Sequence, residues 1–154
     1  MAINAGSQAY GVDLPPTQYD QDWTTQSPTT TTYTAGQPEV GVNFVAPSSG
    51  RVLVTLGAGT RTTTAVTTRA VVTFIVYNDN SDGPVVQAAA FNNGITGIGT
   101  ASVSQYRYVG TFKMISGLTP GRNYYAQMVH RSTAAVAAGV VSIAARDISV
   151  IPLT

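Results

Sequence analysis

The 154-residue sequence contains no cysteine and only one histidine. Without cysteine there is no disulfide, no thiolate nucleophile and no Cys-ligated metal site. The histidine, His130, lies in a run that alternates like a strand, and no Ser-His-Asp set can be assembled around it without assumed geometry. We therefore expect a protein that is not an enzyme and that needs no cofactor.

Charge is also scarce: charged residues make up 10% of the chain, against about 25% in an ordinary soluble domain. Hydrophobic residues reach 44%, which is enough for a single domain to fold without a metal or disulfide. Residues 1–50 hold four acids and no base, whereas residues 51–154 hold all eight bases and three acids. This division suggests that the acidic segment docks on the basic one, within or between subunits.

Signals for a leader, a membrane or a metal are weak. No basic and apolar leader opens the sequence, and the apolar stretches at 70–77 and 134–145 are too short to span a bilayer. Residues 78–83 (NDNSDG) match the opening of a calcium loop, but Ala89 stands where such a loop needs a bidentate acid. We expect an ordinary turn there, no metal site and no membrane partner.

Residues 1–39 are rich in Thr, Gln, Ser and Pro and show no lasting helix or strand period. We interpret them as an extended N-terminal arm that a neighbouring molecule holds in place. The rings and carboxylates of this arm are the candidate contacts with that partner: Tyr10, Asp13, Tyr19, Asp20, Asp22, Trp23 and Tyr33.

From residue 40 onward, short β-rich runs alternate with turn signals. A break is expected at 57–59, a hairpin turn at 92–94, a bend at Gly110 and a bulge near Arg146-Asp147. About eight strands without a convincing amphipathic helix predict an all-β fold, an antiparallel β-sandwich or jelly roll over residues 40–154. The predicted strands are 40–45, 51–56, 71–77, 85–91, 102–115, 123–131, 140–145 and 148–153.

The run Val71–Tyr77 is apolar on both of its faces. A sandwich strand normally buries one face, so we expect another subunit to cover the second. Together with the low charge, this indicates a subunit of an assembly. The predicted subunit interface is Val72, Phe74, Val76, Tyr106, Tyr108 and Tyr124.

The pattern of aromatic residues also fits two other functions, nucleic-acid binding and sugar binding. Residues 105–113 (QYRYVGTFK) interleave rings with Arg107 and Lys113, as single-stranded nucleic-acid binders do. The two bases fall on the face opposite the rings, however, so we expect core or interface aromatics and no nucleic-acid partner. The tyrosines and Trp23 could also stack on sugars, but the position of Trp23 in the arm favours an anchor.

Two stretches resemble known proteins. Gly41–Leu56, with Phe44, Pro47 and Gly50 before an alternating strand, resembles the opening of the β-sandwich in trimeric C1q/TNF-like heads and related bacteriophage virion domains. Residues 117–153, from the Gly-Leu-Thr-Pro-Gly turn to the final RDISVIPL, are similar to the last strands of phage jelly-roll proteins. Together they cover about half of the chain.

The resemblance implies a non-enzymatic virion structural protein, specifically a capsid decoration protein that binds the outer capsid surface as a homotrimer and stabilises it. Its partners would be copies of itself and the major capsid protein, reached by the arm. It would be made in the cytoplasm of a bacterial host and end on the capsid surface. A tail-fibre or receptor-binding head that recognises a host glycan or protein is the alternative, and a single-strand nucleic-acid binder is the third.

Overall fold

The computed structural model describes residues 14–63, 67–97 and 105–154, and the statements below concern these residues. They form ten strands and one 3₁₀ turn at Phe91–Asn93. No helix long and apolar enough to cross a membrane occurs among them. The strands are β1 (Gln18–Asp22), β2 (Thr34–Ala35), β3 (Gly41–Val45), β4 (Val52–Thr62), β5 (Ala70–Asn78), β6 (Val85–Gln87), β7 (Ile95–Thr96), β8 (Arg107–Ile115), β9 (Asn123–Ser132) and β10 (Val141–Pro152).

The strands make two antiparallel sheets that pack face to face. One sheet has four strands in the order β1-β10-β4-β8. The other has β9 and β5 at its centre, with β2 and β3 beside β9 and with β6 and β7 beside β5. Pairing is nested, because β1 joins β10, β3 joins β9, β4 joins β8 and β5 joins β6. This is the jelly-roll arrangement, and the predicted fold class is confirmed.

The core lies between the sheets and includes several residues that the sequence analysis assigns to a subunit interface. Val72, Phe74 and Val76 are at most 1% exposed and point into this core. Tyr124 is buried too, and its ring stacks on Phe44 at 5.6 Å between centroids. These four side chains have no surface to offer a partner, so their assignment to an interface is corrected.

The second face of β5 is covered by the chain itself rather than by another subunit. Val71 and Thr73 are fully buried. The Thr73 hydroxyl donates a hydrogen bond to the Ala90 carbonyl at 3.1 Å, and the backbone at Gly94 packs against β5. The turn after β6 folds back over the sheet, which a face count along one strand cannot reveal.

The segment interpreted as an arm contributes two strands. β1 is the first strand of the jelly roll and pairs with β10 from Gln18↔Val150 to Asp22↔Arg146. Its hydrophobic period is missing because Asp20 and Asp22, not apolar residues, occupy the positions that turn away from solvent. The sandwich therefore starts at or before residue 18. Whether the segment before it forms an arm stays a prediction, since residues 1–13 lie outside the described residues.

Three of the local expectations are wrong, and a fourth, the bulge, is confirmed. β4 continues through the Gly57-Ala58-Gly59 break, and β8 passes Gly110 in register with Gly57. The Asn93-Gly94 pair closes a 3₁₀ turn rather than a hairpin, and Gly94 is extended. The bulge in β10 is confirmed between Ala144 and Asp147, with Ala145 at a φ of 49°.

Candidate interaction surfaces

The bulge of β10 turns the Arg146 side chain into the protein, where it is 1% exposed. Its Nη2 donates to the Asp22 carboxylate and, at 2.9 Å, to the Pro38 carbonyl. Burial opposes ionisation of Asp22, but hydrogen bonds from Arg146 and Thr24 hold the pKa of its carboxyl below the ordinary value. The acidic N-terminal segment thus docks on the basic remainder within one chain.

The other two acids of this segment that the structure describes, Asp20 and Glu39, accept hydrogen bonds from the chain. The Gly41 amide donates to Asp20 at 2.9 Å, and the Tyr125 hydroxyl donates to Glu39. Burial and the Glu39 carboxylate raise the pKa of Tyr125. Asp20 and Asp22 are therefore occupied by their own chain, which corrects their assignment as contacts for a partner.

The remaining predicted arm contacts divide into three groups. Tyr33 is half-buried, and the Arg131 guanidinium lies 4.8 Å from its ring centroid. Tyr19 and Trp23 are 57% and 72% exposed and stay candidates for a partner. Tyr10 and Asp13 lie outside the described residues.

The outer side of the four-stranded sheet carries a group of exposed large side chains that we call the aromatic face. They meet there because alternate residues of a strand point to the same side, and β8 and the residue before it supply four of the six. Sequence analysis found Tyr106, Tyr108 and Phe112 on one side of β8, and the structure places them so. The members of the aromatic face are Tyr19, Trp23, Tyr106, Tyr108, Phe112 and Met114.

Tyr108 lies across the centre of this face. Its ring crosses Gly57, where any Cβ would meet it, and its hydroxyl donates to Asp147. Burial and the Asp147 carboxylate raise the pKa of Tyr108 to about 12. Between Tyr108, Tyr19 and Trp23 lies a depression of about 180 Å³.

Among the described residues, an acid and a base lie against the rings of the aromatic face. The acid is Asp147, and the base is Arg61, whose guanidinium lies 4.7 Å from the Tyr106 ring centroid. Arg107 and Lys113 alternate with the rings along β8 and lie on its other side. The charges of Asp147 and Arg61 are opposite and balance each other.

A second exposed apolar group lies at the edge of the other sheet. We call it the β6 patch, and it consists of Val85, Val86 and Phe91, each about half exposed. Sequence analysis placed these residues in a strand and missed their exposure. Nothing in an isolated Val-Val pair tells an edge strand from a buried one.

His130 lies on β9 opposite Val72, on the core side of the sheet. It is 6% exposed, and burial together with the Arg146 charge lowers its pKa to about 4. Among the described residues no three acids or histidines come together as a metal site would require.

The burial of the Arg146 side chain was not predicted from the sequence. The only signal was its place in the expected bulge beside Asp147, which does not tell an inward from an outward arginine. Its Nε and Nη1 are buried and have no hydrogen-bond partner in the described part of the chain.

No protein-family model matches the sequence, and no curated protein is significantly similar to it. Among solved structures, the chain is similar to infectious bursal disease virus of the Gx strain, with 12% identity, a TM-score of 0.48, and coverage of 99% of this chain and 37% of that one. It is also similar to the D431N mutant VP2 protein of infectious bursal disease virus, in derived T=1 particles, with 14% identity, a TM-score of 0.48, and coverage of 99% and 36%. A third match is the CBM22-1 xylan-binding domain of Paenibacillus barcinonensis Xyn10C, with 12% identity, a TM-score of 0.36, and coverage of 85% and 95%. The chain thus spans little more than a third of the viral chains.

Proposed function

We propose that the protein is a non-enzymatic structural protein of a virus particle, and specifically a capsid decoration protein that assembles with copies of itself and binds the outer capsid surface. The observation that carries the proposal is the presence of two separate apolar surfaces, one on each sheet, on a chain with very little charge.

The larger surface lies at the upper end of the range for the largest apolar patch on a free domain. The five rings and Met114 of the aromatic face are 38–72% exposed, which amounts to roughly 600 Å² of side-chain surface. The largest apolar patch on an ordinary monomer is about 300–600 Å² and is often functional. A patch at this limit, joined by a second one, favours a protein that works in contact with other proteins.

Two apolar surfaces on different sheets allow two different partners to bind at once. A decoration protein needs this, because it must contact both the shell and its own copies. We assign the β6 patch to the capsid and the aromatic face to the other contact. The protein would then bind the capsid by burying Val85, Val86 and Phe91 against it. The segment before β1 would provide a second attachment to the capsid.

The fold suits a load-bearing role. Tension on residues before β1 passes into a five-residue ladder with β10, which is itself paired along its length with β4. The Asp22–Arg146 ion pair fastens the end of β1 to the bulge. A force on the segment before β1 is therefore distributed over many backbone hydrogen bonds between β1, β10 and β4.

The test is co-sedimentation of purified protein with capsids that lack it. Wild-type protein is expected to bind saturably, and Val86→Asp to bind at least tenfold more weakly. Ser81→Asp, which adds the same charge to the exposed turn before β6, serves as the control and should bind like wild type. Failure of the wild type to sediment with excess capsids, or wild-type binding by Val86→Asp, would overturn the assignment.

A further inference from the structure

We propose that the aromatic face is the surface through which copies of this chain bind one another. The inference rests on the proposed function, which requires self-assembly, and it names the surface responsible. It moves the subunit contact from the residues of β5 to the opposite sheet, and it reassigns Tyr19 and Trp23 from the capsid contact to the contact between copies.

The exposed area of the aromatic face fits a second copy of this chain. A stable interface removes about 800 Å² from each partner. The six side chains supply most of that, and the half-buried Leu53 and Ile151 adjoin them on the same side of the sheet. A small ligand would need only the depression of about 180 Å³ near Trp23, and would leave Phe112 and Met114 in water.

The charge pattern also fits a second copy. Identical faces brought together repel each other if they carry net charge. The six side chains of the aromatic face are uncharged, and Arg61 and Asp147 beside them carry opposite charges. Asp147 lies beside Tyr108, and Arg61 lies beside Tyr106. Asp147 on β10 pairs with Gly57 on β4, and Arg61 follows four residues after Gly57 on the same strand. Arg61 of one copy can therefore approach Asp147 of another while the rings pack between them. The Arg61 Nε is buried and has no hydrogen-bond partner among the residues that the structure describes.

The backbone shape permits close packing. Gly57, Gly59 and Gly110 lie close together on the neighbouring strands β4 and β8, with Gly57 opposite Gly110. Tyr108 and Tyr106 cover the first two, but Gly110 has only the Leu56 carbonyl near the position of a Cβ, at 3.4 Å. A ring from a second copy can reach the sheet backbone there. Aromatic rings in such offset contacts add about 0.5–1.5 kcal/mol per pair beyond their buried area.

The experiment is sedimentation velocity across a concentration series, without capsids, for three proteins. Wild type is expected to sediment as an oligomer. Phe112→Asp places a carboxylate in the centre of the contact and should raise the dissociation constant between copies at least tenfold. Val86→Asp, the same charge on the β6 patch, should leave the oligomer unchanged. Phe112 is 72% exposed, so its replacement leaves the core intact, and a thermal unfolding curve of the variant checks this.

Trp23 provides an internal reporter, because it is the only tryptophan in the chain. Its emission is expected to shift to the blue as the protein concentration rises, in step with the oligomer, and not to shift in Phe112→Asp. A monomeric wild type, or an oligomer that resists Phe112→Asp and dissociates with Val86→Asp, would overturn the inference. A monomer that still sediments with capsids would overturn it while leaving the capsid role standing.

Discussion

Arg146 is the residue that joins the N-terminal segment to the sandwich. A fully buried guanidinium is costly unless it is paired and hydrogen-bonded, and here the carboxylate of Asp22 and the carbonyl of Pro38 meet it. Both partners come from the segment that sequence analysis left without regular structure. Arg146 therefore adds side-chain contacts at residues 22 and 38 to the backbone pairing of β1 with β10 and of β2 with β9.

Asp22→Asn is expected to destabilise the protein by about 2–3 kcal/mol, because it leaves the buried Arg146 charge without its counter-ion. Denaturant unfolding measures this. Asp82→Asn, the same change in an exposed turn, should stay within about 0.5 kcal/mol of wild type. The loss should shrink when Arg146→Met is also present, and equal losses with and without arginine would argue against the pair.

His130 makes stability depend on pH. Its pKa is lowered to about 4 in the folded protein, while an unfolded chain titrates near 6.5. Between these values the unfolded state binds more protons, so stability falls as the pH drops from about 6.5 to 4, by on the order of 2–3 kcal/mol.

The matching measurement is urea unfolding at several pH values for wild type and His130→Gln. The slope over this window should be much flatter in the variant, whatever its absolute stability. Asp22 does not confuse the result, because its pKa is lowered and its contribution is lost only below the window. An unchanged slope would show that another group is responsible.

At the scale of the element, β4 shows how a strand can run through glycines. Gly57 and Gly59 lie under Tyr108 and Tyr106, so the rings fill the space that side chains on the strand would take. The rings of Tyr108 and Tyr106 therefore lie close to the backbone of β4.

Gly57→Ala is expected to cost about 1–2 kcal/mol, because the added methyl group meets the Tyr108 hydroxyl and the Asp147 carboxylate. The pKa of Tyr108 should fall from about 12 toward its ordinary value as its hydrogen bond weakens, and NMR titration can follow it. Gly110→Ala, in register on β8, meets only one carbonyl and should change stability by less than about 0.5 kcal/mol. Equal effects at both glycines would contradict the packing described.

The sequence predicts most of the strands but not which faces are covered. β5, β8 and β9 are recognisable because their β-branched and aromatic residues are dense, and the β10 bulge because Ala-Arg-Asp interrupts an apolar run. β1 is not recognisable, since two of its inward positions are the carboxylates of Asp20 and Asp22 and its partner strand β10 lies more than a hundred residues away. The exposure of Phe112 and Met114 depends on the sheet beside them, which alternation along one strand does not specify.

At the scale of the whole molecule, the small number of charges agrees with the proposed assembly. Three of the four N-terminal acids are engaged within the chain, which leaves large apolar areas and few charges on the outer surface of the described residues. The proposal assigns these exposed rings to contacts between copies, whereas the core between the sheets stabilises the single chain.

Immunogold electron microscopy of purified virus particles, with antibody against this chain, tests the central claim most directly. A decoration protein predicts gold over the whole capsid, in many copies per particle, and its loss when particles are stripped of the protein. Label confined to the tail tip would contradict the account in favour of a receptor-binding head, and particles without label would contradict a place in the virion altogether.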